Sequence, residues 1–251
     1  MNYTLDITPV RFSLIIPAYN EERFLPRLLD SIEVARAMYR KGPEAIEVIV
    51  ADNASSDDTA EVATSRGCRV VQVKKRVIAA ARNGGARAAS GEIFCFIDAD
   101  SQVHPQTFNA IDEALGGGRV IAGTTGVTLE RKSPGILLAY CVLMLFVWLT
   151  GMDTGVVFCR REDFEAVGGY DESRLYAEDV TFLLALRQRG RKRGQRLIRL
   201  RGVKALGATR KFDQFGDWHY FSLAARAGRG LLMGQTNDSE FADSYWYKPR
   251  R

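Results

Sequence analysis

Apolar runs alternate with helix-length amphipathic stretches through the first hundred residues. Segments 12–16, 46–51, 69–73 and 93–98 are short and rich in Ile, Val and Phe, and read as strands. Between the first two, Leu25, Leu28, Leu29 and Ile32 recur on one helical face, with Pro26 in the first helical turn. A second helix is expected from about Asp57 with Ser56 as N-cap, and an alanine-rich third over 79–89, closed by Gly91. Strand–helix alternation with short connections predicts an α/β protein built on a parallel sheet.

The rhythm changes after residue 100. His104–Pro105 opens a helix to about Leu115, the three glycines at 116–118 end it, and 120–129 reads as one strand. Segment 133–152 carries no charge, and 136–149 is almost wholly apolar. That length is near the lower limit for a membrane span, but crossing would put two halves of one domain on opposite sides, so a buried or interfacial helix is expected. A strand at 156–159, a turn at Gly168–Gly169, a helix from about Glu178, a basic stretch at 187–204, a last helix at 213–234 and a loosely ordered tail complete the reading. With no internal repeat or linker, 1–251 is read as one domain, with halves at about 1–105 and 106–234 and a tail at 235–251.

Composition changes this picture little. The 251 residues suffice for a full core. A net charge of +5 suits anionic partners such as nucleotides, nucleic acid or anionic lipid without choosing among them. Cys68, Cys95, Cys141 and Cys159 are scattered and form no CxxC pair, which predicts reduced thiols in a cytoplasmic protein and no zinc site. The first residues show no basic region followed by an apolar stretch, so no secretory signal is expected.

Candidate chemistry gathers at strand ends. The fourth apolar run ends in Asp98 and Asp100. On an extended backbone these two point to one side, where like charges repel unless a cation lies between them. A hard divalent ion with oxygen ligands fits, and so does a plain acidic turn. In open parallel sheets, ligands bind outside the carboxyl ends of the strands. Glu21 after the first strand, Asp52 ending the second and Asp98 would line that edge.

The segments IIPAYNEERFLPRLLDSI, VIVADNASSDDTAEVA, AARNGGARAASGEIFCFIDAD and VGGYDESRLYAEDVTFLLALRQRG resemble, in order and spacing, the motifs of the family 2 glycosyltransferases. The resemblance runs from about Phe12 to Gly190. It implies the GT-A fold, a Rossmann-like open twisted, mainly parallel sheet flanked by helices, and a nucleotide-sugar donor. Pro17, Ala18, Tyr19 and Glu21 would hold the nucleoside, with Tyr19 packed on ribose or base and Glu21 accepting from ribose hydroxyls. Asp52 would accept from a ring N–H of uracil or guanine. Arg76 and Arg82 would face the diphosphate. Asp98, Ala99 and Asp100 occupy the DxD position, whose carboxylates hold Mg²⁺ or Mn²⁺. Glu178–Asp179 matches the ED motif, with Asp179 as general base toward an acceptor hydroxyl, although a carboxylate at a helix start is also an ordinary cap. A base on one side and a metal-held leaving group on the other imply inversion at the anomeric carbon.

No QxxRW motif follows the ED pair, which favours transfer of one sugar over polymer synthesis. In ATRKFDQFGDWHYF, His219 is a candidate third metal ligand, and Arg210 or Lys211 a candidate diphosphate contact. The basic stretch together with the apolar helix could dock on the cytoplasmic face of an anionic membrane, which would suit a lipid-linked acceptor. The rival readings are a sugar nucleotidyltransferase, which lacks its glycine-rich start here, and a basic membrane- or nucleic-acid-binding module, which leaves Asp98, Asp100 and Asp179 without a role. Nucleic acid is not the expected partner.

Overall fold

The computed structural model describes residues 9–150, 153–174 and 178–218. The first half alternates as its pattern predicts: β1 (Phe12–Ala18), α1 (Leu25–Ala37), β2 (Ile46–Asp52), α2 (Thr59–Ser65), β3 (Arg69–Gln72), α3 (Ile78–Ala88) and β4 (Ile93–Phe96). There follow β5 (Ser101–Gln102), α4 (Thr107–Gly116), β6 (Val120–Thr124), β7 (Val127–Leu129), α5 (Pro134–Thr150), β8 (Val157–Arg160), α6 (Arg161–Ala166), α7 (Glu178–Lys192), β9 (Arg196–Arg199), β10 (Ala205–Gly207) and α8 (Arg210–Phe215).

A seven-stranded sheet runs in the order β3-β2-β1-β4-β8-β6-β9. All its pairings are parallel except those of β8, which is antiparallel to both β4 and β6. Every residue of β1 is buried, because helices cover both faces of the sheet. The period-2 alternation sends Phe12, Leu14 and Ile16 into one core with Leu25, Leu28, Leu29 and Ile32 of α1, and Ile15 into the other with α3. Each such Leu, Ile or Phe contributes roughly 1.5–3 kcal/mol by leaving water. The alanines and glycines of α3 let it lie close to the sheet. A β-carbon on Gly85 would stand 2.5 Å from Ile15 Cγ2.

A small second sheet, β5-β10-β7, sits past the end of β4. It corrects the single strand expected over 120–129. Gly126 adopts φ 72°, the chain turns there, and β6 and β7 join different sheets. The last helix also differs, since α8 spans only six residues and ends at Gly216, φ 85°. The remainder of the expected helix, the tail and His219 lie outside the described residues. Ser56 is not a helix cap. α2 begins later, at Thr59, and both the N–H and the Oγ of Ser56 donate to Asn20 Oδ1, at 2.8 and 3.4 Å.

The uncharged segment is the 17-residue α5, and among the described residues no helix is long and apolar enough to cross a membrane. Ile136 and Val147 are buried, whereas Leu137, Leu138, Val142 and Leu145 face outward, Leu145 at 58% exposure. All four cysteines are free.

Candidate active site

The carboxyl ends of β1 and β2 lie side by side, with Ala18 paired to Asp52. Both loops leaving them contain a non-glycine residue in the left-handed region, Asn20 at φ 54° and Ala54 at φ 61°. Such backbone costs about 1–2 kcal/mol and persists where its surroundings enforce it. The two loops are laced together. Asn20 N–H donates to Ser55 Oγ at 3.0 Å, and Glu21 N–H to Thr59 Oγ1 at 2.8 Å.

Asp52 is buried, its Oδ1 accepting from Ser55 N–H at 3.0 Å and its Oδ2 from Gln72 Nε2 at 2.8 Å. Asn53, not singled out by its sequence context, donates through Nδ2 to the carbonyls of Val73 and Lys75 at 3.1 and 2.6 Å. It thereby anchors the loop that carries Arg76. The Arg76 guanidinium lies 4.6 Å from the centre of the Tyr19 ring and donates to its hydroxyl. The sequence-predicted Pro17, Ala18, Tyr19, Asp52 and Arg76 therefore share one end of the sheet.

Asp98 and Asp100 do not sit on an extended strand. β4 ends at Phe96, and Ser101 N–H closes a turn onto the Asp98 carbonyl at 3.1 Å. The turn places Ala99 in the core and sends the two carboxylates to different partners. Asp98, 56% exposed, accepts from Arg82 Nη2 at 3.0 Å, while Asp100 faces Arg210 Nε at 2.7 Å.

Arg82, expected to face the diphosphate, is engaged here with carboxylates. It is only 5% exposed, and its Nη1 also donates to Glu178 at 2.7 Å and to Asp179 at 2.9 Å. One guanidinium thus joins the DxD turn to the ED pair. Nothing in the helix pattern of α3 distinguishes Arg82 from a solvated arginine. The neighbouring Asn83 explains its position, because Asn83 Nδ2 donates to the Tyr170 carbonyl at 2.8 Å and its Oδ1 accepts from Tyr170 N–H at 2.9 Å. This pair pins the Gly168–Gly169 turn, whose glycines have φ 81° and 72°, against α3. The segment leading to α7 is held there, with Glu178 and Asp179 in its first turn.

Desolvation is the main reason that Asp179 is pushed up to about 6. The Arg82 charge opposes that shift, and the carboxylates of Glu178 and Asp98 add to it. A carboxyl poised near neutrality beside a cation is suited to taking up a proton.

Arg210, at the start of α8, closes the site from the far end of the described chain. Its Nη1 and Nη2 donate to the two oxygens of Glu21 at 2.6 and 2.8 Å. Glu21 is thus part of a buried ion pair as well as of the β1 loop. Among the described residues no group of three or more His, Cys, Asp or Glu side chains is arranged to hold a metal. Two carboxylates on one turn still fit a hard divalent ion of the magnesium type, which takes one or two carboxylates and completes its shell with phosphate oxygens and water.

Residues 13–133 match the family model described as glycosyl transferase family 2. Validoxylamine A glucosyltransferase of Streptomyces hygroscopicus subsp. limoneus is 34% identical over 112 residues, which cover 42% of this chain and 24% of that protein. An undecaprenyl-phosphate 4-deoxy-4-formamido-L-arabinose transferase of Pseudomonas paraeruginosa is 33% identical over 135 residues, covering 49% and 36%. The chain thus spans only about a quarter to a third of the length of these curated relatives. Among solved structures, a mannosyltransferase from Pyrobaculum calidifontis in complex with GDP-Man and Mn²⁺ superposes with a TM-score of 0.60 at 25% identity, over 80% of this chain and 59% of that one. The fold is that of the GT-A glycosyltransferases.

Proposed function

We propose that this chain, whose residues 13–133 match the glycosyl transferase family 2 model, is a glycosyltransferase of that family and moves one sugar from a UDP- or GDP-sugar to an acceptor hydroxyl, with inversion. The observation that carries the reading is the Arg82 bridge, which ties Asp98 at one side to Asp179 at the other. Leaving-group chemistry and acceptor activation need to be that close.

Tyr19 packs against the nucleoside, with Arg76 on its ring facing the diphosphate, Asp52 accepting from the base and Glu21 beside the ribose. The backbone of Pro17 and Ala18 forms the floor. Asp98 and Asp100 would hold Mg²⁺ or Mn²⁺, which supplies Lewis-acid stabilisation of the departing diphosphate. The Mn²⁺ in the P. calidifontis complex supports that choice of ion. Asp179 takes the acceptor proton, and Glu178 keeps Arg82 in place beside it.

Titration with UDP- and GDP-sugars in the presence of Mn²⁺, Mg²⁺ or a chelator tests the reading. Binding of at least one donor that weakens at least tenfold in chelator is the expected result. Absence of metal-dependent binding across the panel would overturn it. Product anomers read by NMR test the inversion.

A lipid-linked acceptor on the cytoplasmic face of a membrane suits the outward side of α5. Leu137, Leu138, Val142 and Leu145 are exposed there, Gly135 lies against Asp217, and Phe215 and Trp218 are exposed alongside. Aromatic and aliphatic side chains with Lys132 close in sequence make an interfacial surface, at which Arg131 is held by Asp213 and Asp217. The lipid-phosphate named in the P. paraeruginosa relative supports this reading. Flotation with vesicles containing anionic lipid should carry the protein upward, and negative charge placed on this face, as V142E together with L145E, should abolish it. A protein that stays at the bottom with every vesicle would contradict the membrane contact.

A further inference from the structure

Arg210 holds two carboxylates in unequal ways. Toward Glu21 it makes two aligned hydrogen bonds, at 2.6 and 2.8 Å. Toward Asp100 the approach is as short, Nε to Oδ2 at 2.7 Å, yet Nε makes no aligned hydrogen bond. The guanidinium carbon also rests 4.9 Å from the centre of the Phe24 ring, and the side chain is 17% exposed. One end of the contact is therefore locked, and the other is held by charge alone.

Asp100 is also a carboxylate that the donor's metal would need. A divalent ion arriving there would stand next to a fixed positive charge, and the two cations would compete for one anion. A nucleoside diphosphate changes that balance, because its phosphates give both cations a negative partner.

We propose that Arg210 is a resident counter-cation for Asp100. It offsets part of the Asp100 charge before the donor binds, opposes binding of metal alone, and transfers its Nε contact from Asp100 to the donor diphosphate when metal and nucleotide bind together. Glu21 is the pivot that keeps the guanidinium in reach. Metal and nucleotide are then coupled through a positioning residue, each raising the affinity for the other by the same factor. This inference rests on the donor-diphosphate reading above.

Arg210→Gln tests it, since glutamine keeps a donor for Glu21 and removes the charge. Calorimetric titrations would be run with Mn²⁺ alone, and with UDP and GDP at saturating Mn²⁺. The variant should bind Mn²⁺ alone about tenfold tighter and the nucleotide–Mn²⁺ pair about tenfold more weakly than the native protein, within the usual range of site–site coupling. Arg210→Lys, which keeps the charge, should leave binding of Mn²⁺ alone near the native value. A residue with only a structural role would weaken both affinities, and that result, or unchanged Mn²⁺ binding in Arg210→Gln, overturns the proposal. If the native protein binds neither UDP nor GDP with Mn²⁺, the donor reading itself fails and the proposal falls with it.

Discussion

Replacing Asp179 with asparagine is expected to lower sugar transfer by about 10²–10⁴-fold, the usual contribution of a positioned general base, while donor binding holds at its native strength. The side chain is 26% exposed, stands 2.9 Å from Arg82 and is pushed up to about 6, chiefly by desolvation. It is thus ionised at neutral pH yet basic enough to accept a proton. Native transfer should fall on the acid side as pH drops through about 6, where Asp179 protonates. The asparagine variant should lose that acid limb along with its rate. Steady-state rates from about pH 5 to 9, with donor affinity measured in parallel, check both statements. Transfer within a few-fold of the native rate would remove Asp179 as the base.

The same shift has a consequence for stability. The folded-state value for Asp179 lies above the ordinary 3.8, so its ionisation is disfavoured in the folded protein. Its contribution is fully present below the unfolded value and is lost as pH rises through about 6. The site is ionised for chemistry under conditions that cost the fold some stability.

Arg82→Met should destabilise the protein by about 3–5 kcal/mol, the range seen when one partner of a buried charge cluster is removed. Asp98, Glu178 and Asp179 would then face one another without the guanidinium they share. Urea unfolding measures the loss, and a change below about 1 kcal/mol would show that the cluster does not depend on Arg82. In the fraction that folds, the acid limb of any residual transfer should move to higher pH, because a cation that favours the Asp179 carboxylate has gone. Arg82→Lys should not restore the native state, since a single ammonium cannot present the planar fork that reaches three carboxylates.

The parts of this architecture legible in the sequence are those set by local pattern. The buried strands β1, β2 and β4 follow from continuous apolar runs, and the face of α1 from its Leu and Ile spacing. The chemistry at the strand ends is visible because polar residues stop those runs abruptly. What is not legible depends on how elements dock. Arg82 looks like a surface arginine until Asn83 fastens the Tyr170 loop over it. A single backbone angle at Gly126 diverts β7 into another sheet, although the sequence over 120–129 carries no charge and no proline to mark the break. Ser56 has the right identity for a cap, but α2 starts only at Thr59, and the Ser56 Oγ donates to Asn20 Oδ1 at 3.4 Å rather than accepting from a helix N–H.

The Glu21–Arg210 pair joins residues 189 positions apart. A chain made from its N-terminus exposes Glu21 early and Arg210 only after the strands of the main sheet have been released. Synthesis runs at roughly 5–20 residues per second, so on the order of ten seconds or more separate the appearance of the two partners. During that interval β1, β2 and β4 have the residues they need to pair, but the β1 loop lacks its contact with Arg210. A nascent chain stalled before Arg210 would carry the residues of β1, β2 and β4 without this long-range ion pair across their carboxyl ends.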